Sequence, residues 1–150
     1  MRSALTFDDI KVGNEMTPYT RKFKQENVDI VMVMEGTAPN WHIDPDHAQA
    51  VSDWNVKKDC TVLPGIMTEM GVSEFMVNWL GGHKAWFCGG SMDIKFVSPV
   101  QIHVKEGGEV HYKGKVVEKK IENGKKCMIC EIYAEQEGKQ VMNGKVKVIF

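Results

Sequence analysis

The chain has 150 residues, 43% hydrophobic and 26% charged, with 19 Lys and Arg against 20 Asp and Glu and a formal net charge of −1. That length suits one domain, residues 1–150, with a core of its own, and the balanced charge argues against a nucleic-acid partner. No apolar run is long enough to span a bilayer, and the opening MRSALTFDDI lacks the apolar centre of a signal peptide, so no membrane partner and a cytoplasmic location are expected.

FDDIKVGNEM reads as a lead-in loop and PYTRKFK as a short strand. The apolar run in QENVDIVMVMEG suits a buried strand or a buried helix. Gln25 and Glu26 before it and Gly36 after it favour a helix closed by a glycine C-cap. GTAPNWHID is a loop carrying His42. Asp44-Pro45-Asp46 then opens a second helix, with Asp44 as N-cap and Pro45 at the first helical position. His47 is expected to stand exposed on that helix.

LPGIMTEMGVSEFMVNWLGG is a longer helix, opened by Pro64-Gly65 and closed by Gly81-Gly82. It is apolar over most of its circumference, as a buried helix is. Gly65, Glu69 and Ser73 recur every four residues and form one polar line along it.

From Trp86 onward the apolar period is two, through WFCGGSMDIKFVSPV, QIHVKEGGEVHYKGKVVEKK, KKCMICEIYAEQEG and KQVMNGKVKVIF. Asn123-Gly124 and Glu137-Gly138 are hairpin signals, and Pro99 marks a strand end. Lys57-Lys58, Lys119-Lys120 and Lys125-Lys126 read as solvated turn ends. Of the four cysteines, Cys60, Cys88, Cys127 and Cys130, the last two have CxxC spacing. On a strand, residues three apart point to opposite faces, so structural thiols are expected rather than a metal or redox pair. The order of elements gives an α+β architecture, one long helix against a curved antiparallel sheet of about five strands.

Four stretches together resemble the MaoC-like dehydratases and (R)-specific enoyl-CoA hydratases of the hotdog superfamily. FDDIKVG is similar to that family's opening. MEGTAPNWHIDPDHA falls where the family has G-D-x-N-P-x-H-x-D-P. PGIMTEMGVSEFM falls where it has an H-G-M-L-T helix start. SMDIKFVSPVQIHVKEGGEV resembles its R-F-x-x-P-V strand and the Gly-Asp that follows. The resemblance implies a hotdog fold and reversible hydration of a 2-enoyl thioester, with acyl-CoA as substrate and no cofactor. It also implies a homodimer, or a hetero-oligomer with another hotdog subunit, with the pocket between protomers.

On this resemblance His42 is the base that deprotonates water, since imidazole titrates near working pH. The Gly65 amide, at a helix N-terminus, is the donor to the thioester oxygen. The family's catalytic Asp falls on Thr37, which orients water but does not ionise near neutral pH. Pro64 replaces the family His before the glycine, and the segment from His42 to Gly65 is longer than usual. Glu69 is the expected stand-in acid, with Asn40, Trp41 and Ser73 on the substrate side. Two alternatives are a thioesterase using Glu69 or Glu74, and a subunit that is inactive without a different partner.

Overall fold

The computed structural model describes residues 4–36, 40–50 and 52–150. The chain runs β1 (Tyr19–Phe23), α1 (Gln25–Glu35), α2 (Pro45–Ala50), β2 (Cys60–Val62), α3 (Gly65–Leu80), α4 (Lys84–Gly89), β3 (Gly90–Phe96), β4 (Gln101–His103), β5 (Gly108–Glu122), β6 (Lys125–Gln136) and β7 (Lys139–Ile149). An antiparallel sheet has the order β1-β5-β6-β7-β3, and β2 pairs with β4 in a small second sheet. This is the expected α+β hotdog arrangement, with α3 as the long helix.

Local chemistry explains most element boundaries. Gly36 ends α1 at φ 66°, in the left-handed conformation where glycine has no steric penalty. Asn123 and Gly124 (φ 51° and 76°) join β5 to β6, and Glu137 and Gly138 (φ 51° and 76°) join β6 to β7. Two consecutive positive φ angles match the twist of the flanking strands and fix each hairpin's register.

Three expectations need correction. Trp86-Phe87-Cys88 is helical rather than the start of a strand. Trp86 is buried whereas Phe87 and Cys88 are exposed, so the alternation required of a strand does not hold. Segment QIHVKEGGEV divides at Gly107 (φ 80°) into β4 and β5, which lie in different sheets. Lys119 is no solvated turn end, because its ammonium donates to the carbonyls of Phe7 (2.5 Å) and Ile10 and ties the N-terminal segment to β5.

The core lies between α3 and the inner sheet face. Val72, Phe75, Met76 and Leu80 from the helix meet Val110, Tyr112, Met128, Cys130 and Ile132 from the sheet. The Phe75 and Tyr112 rings stack at 6.4 Å, and the Tyr112 hydroxyl donates to Thr68 O at 3.2 Å. Gly71 makes room for that phenol, since a Cβ there would stand 2.0 Å from its oxygen. Cys127 and Cys130 are free and buried. Of the two, Cys130 belongs to the core, and burial pushes its thiol up to about 12.

Candidate functional site

The loop before α2 is built to hold one imidazole. Asn40 Oδ1 accepts from the His42 amide at 2.8 Å, and Asn40 O accepts from the amides of Ile43 and Asp44 at 3.0 and 2.9 Å. Trp41 O accepts from the Val62 amide at 2.9 Å, which joins the loop to β2. From the other side, Gln25 Nε2 donates to His42 O at 2.9 Å while Gln25 Oε1 accepts from Thr61 Oγ1 at 2.6 Å. The loop is therefore clamped between the start of α1 and β2. Asp44 Oδ1 accepts from the amides of Asp46 (3.0 Å) and His47 (3.3 Å), the capping role that its place before Pro45 predicts.

The ring of His42 is fixed at both nitrogens. Nδ1 lies 2.6 Å from Val62 O. A carbonyl only accepts, so Nδ1 carries the proton and Nε2 keeps its lone pair. The indole N–H of Trp41 donates to that Nε2 at 3.0 Å. Trp41 also meets the Trp54 ring edge-on at 5.5 Å.

Among the described residues, His42, Asp53, Trp54, Gly65, Thr68 and Phe96 help to line one cavity of about 470 Å³. Gly65 is the first residue of α3, after Pro64 as N-cap, so its amide has no acceptor within the helix. The helix dipole makes this end attractive to negative charge. A Cβ at Gly65 would come within 3.0 Å of the Phe96 ring, so the absent side chain sets the cavity's width there.

The other expected residues fall elsewhere. Thr37 lies outside the described residues. Asn40 holds the His42 backbone and Trp41 its Nε2, and neither is among the described lining residues. Nor are Glu69 and Ser73, although both share α3 with Gly65. The reason is helical phase. At about 100° per residue, Thr68 lies some 60° from Gly65 on one side, and Glu69 and Ser73 lie about 40° and 80° away on the other. The cavity is on the Thr68 side. Glu74, the other carboxylate considered, accepts from the Tyr19 hydroxyl at 2.7 Å and pairs with the Arg21 guanidinium. That hydrogen bond raises the phenol's pKa above its ordinary value.

Sequence patterning missed Thr68 and Asp53. Thr68 carries the i+3 relation to Gly65, a signal that was present. Asp53 sits on a 3-10 turn, Ser52–Trp54, within the long segment between His42 and Gly65, and no periodicity marks it.

No family profile matches the sequence, and no curated protein matches it. Solved structures do. A MaoC-like dehydratase superposes with a TM-score of 0.79 and 18% identity over 97% of this chain and 42% of its own, so this chain spans less than half of that protein. The (R)-hydratase from A. caviae involved in PHA biosynthesis gives a TM-score of 0.70 and 16% identity over 93% and 96% of the two chains. The C-terminally truncated HadBC (3R-hydroxyacyl-ACP dehydratase) complex from Mycobacterium tuberculosis gives 0.68 and 10% identity over 93% and 96%. At these identities the fold is what is shared.

Proposed function

On a chain with the hotdog fold of the MaoC-like dehydratases and (R)-hydratases, we propose that the cavity at the start of α3 is the active site of an acyl-CoA hydratase-dehydratase. The observation that carries this is the meeting of two groups on one cavity: an imidazole whose Nε2 keeps its lone pair, and an amide at a helix N-terminus.

In the hydration direction a water replaces the Trp41 indole N–H at Nε2 and is deprotonated there as its oxygen adds to the β carbon. Negative charge moves to the thioester oxygen, which accepts a hydrogen bond from the Gly65 amide. That donor is in place before reaction, so it stabilises charge without reorganising. Val62 O accepts from Nδ1–H at the opposite edge of the imidazole and stabilises the protonated ring. Lys139 lines both this cavity and an adjoining cleft, where Lys22 and Lys57 stand beside Glu106, Glu109 and Glu137 and Lys57 pairs with Glu137.

A partner-dependent subunit is the second reading, favoured by an uncovered flank. Ile66 and Met70 on α3 are 49% and 46% exposed, and among the described strands β3 is an edge of the five-stranded sheet. Apolar area and an unpaired edge together are what a second hotdog subunit would cover. The test is purified chain with an enoyl-CoA. Loss of the enoyl absorbance with CoA still esterified is expected, and His42→Ala should slow it about 10²- to 10⁴-fold. Release of free CoA indicates thioester hydrolysis instead. Turnover appearing only with a second polypeptide moves the chemistry to the assembly.

A further inference from the structure

Hydration needs a proton at the α carbon as well as a base for water, and the resemblance puts the family's acid at Thr37, outside the described residues. We infer that Asp53 is the second proton carrier of this site, an inference that rests on the hydratase reading above.

Asp53 is the one carboxylate among the described residues lining the cavity, where His42 and Lys139 are the other titratable groups. The carboxylates proposed from sequence do not compete. Glu69 lies about 100° around α3 from Thr68 and is not among the described lining residues, and Glu74 is held by Tyr19 and Arg21.

The turn carrying Asp53 is anchored on its C-terminal side. Trp54 packs edge-on against Trp41, the residue whose indole meets His42 Nε2, so the turn and the imidazole share one aromatic support. Downstream, Asn55 takes a left-handed φ of 48°, and Gln101 on β4 then grips the chain twice. Its Oε1 accepts from the Lys57 amide at 2.8 Å, and its Nε2 donates to Asn55 O at 3.3 Å. Asn is among the few non-glycine residues that take this conformation readily, so the hold on the chain comes from Gln101. Asp53 is exposed in the free chain and makes no ion pair or hydrogen bond with the described residues, so its carboxylate is uncommitted. An acyl-CoA entering the cavity would cover it.

The proton balance closes with these two groups. Water gives one proton to His42 Nε2 as its oxygen bonds to the β carbon and the C=C pair moves toward the thioester carbonyl. Asp53, starting as carboxylate, takes that proton from the imidazolium and delivers it to the α carbon. The enolate returns its electrons to the new C–H bond, and both side chains end as they began. Dehydration is the same path reversed.

The experiment compares wild type, Asp53→Asn, Asp53→Glu and His42→Ala, each assayed for kcat and KM with a short enoyl-CoA and for thermal unfolding. Asp53→Asn should lower kcat about 100-fold or more with KM within about twofold, and Asp53→Glu should recover part of the loss. Unfolding of the exposed-site variants should match wild type; should Asn disturb the turn, Asp53→Ser replaces it. Asp53→Asn with kcat within about threefold of wild type, or with KM alone raised, overturns the assignment while an inert His42→Ala leaves the hydratase reading standing. A wild-type chain that hydrates no enoyl-CoA overturns both.

Discussion

Gly65→Ala separates the structural use of that glycine from its proposed chemical one. The new methyl would lie 3.0 and 3.1 Å from Cε2 and Cζ of Phe96. Those atoms belong to a side chain 45% exposed, which can yield a few tenths of an ångström toward solvent. Alanine also lowers the entropy of the unfolded chain and suits a first helical turn, a gain of about 0.4–1 kcal/mol. The two effects oppose each other, so net stability should change by less than about 1 kcal/mol. A thioester bound as proposed has no such freedom. A methyl beside the Gly65 amide displaces the carbonyl oxygen from its donor, and losing one such donor costs about 10²- to 10³-fold in rate. Urea unfolding and kcat/KM on the same preparation check both halves. A stability loss above about 2 kcal/mol would mean that Phe96 is clamped, and an unchanged kcat/KM would mean that the thioester does not use this amide.

Two further substitutions probe the core beneath the site. Gly71→Ala would place a methyl 2.0 Å from the Tyr112 oxygen, whose side chain is 1% exposed and cannot move aside. Overpacking plus the loss of the hydrogen bond to Thr68 O should cost about 2–4 kcal/mol in thermal or urea unfolding, with partial recovery on adding Tyr112→Phe. Alkaline titration gives the second. Burial raises Cys130 from 9.0 to about 12 and raises Tyr112 above its ordinary value. The unfolded chain therefore binds fewer protons than the folded one above pH 9.0, and stability falls as pH rises from there toward 12. Each group steepens the slope by about 1.4 kcal/mol per pH unit within its window. Cys130→Ala should lower stability overall yet flatten the slope of urea-unfolding free energy between pH 9.0 and 12; an unchanged slope would mean that the thiol is not shielded.

Local signals were legible where the chain's own geometry decides the outcome. Gly36, Asp44-Pro45, Asn123-Gly124 and Glu137-Gly138 act within a few residues of themselves, and each appears in the structure in its expected role. What failed to show in the sequence depends on partners distant in the chain. The strand β2 is three residues long and owes its existence to β4, some forty positions away. The helix α4 interrupts a period-two pattern because Trp86 needs the core and Phe87 does not. Within the site, the polar line Gly65-Glu69-Ser73 was real as helical geometry, but periodicity gives only relative angles. Which side of that line meets the cavity is set by where β2 and the end of β3 pack, and they select Thr68. Asp53 was invisible for a different reason: a 3-10 turn has no repeat long enough to read, and its position follows from Trp54 finding Trp41.

The circumference of α3 poses a sharper question. Its sequence is apolar nearly all round, the mark of a helix covered on every side, yet the single chain leaves Ile66 49% and Met70 46% exposed on one flank. Fully burying a side chain of this size gains about 1.5–3 kcal/mol, so the uncovered half of these two holds back roughly 1.5–3 kcal/mol in total. Glu69 and Ser73 share that flank. Helical phase thus turns them away from the cavity of their own chain and toward whatever covers α3. In a two-subunit arrangement their polar atoms would meet the seam beside the site rather than its floor. On the partner-dependent reading proposed above, the apolar pattern would record coverage by a second subunit, and the two polar residues within it would lie at that seam.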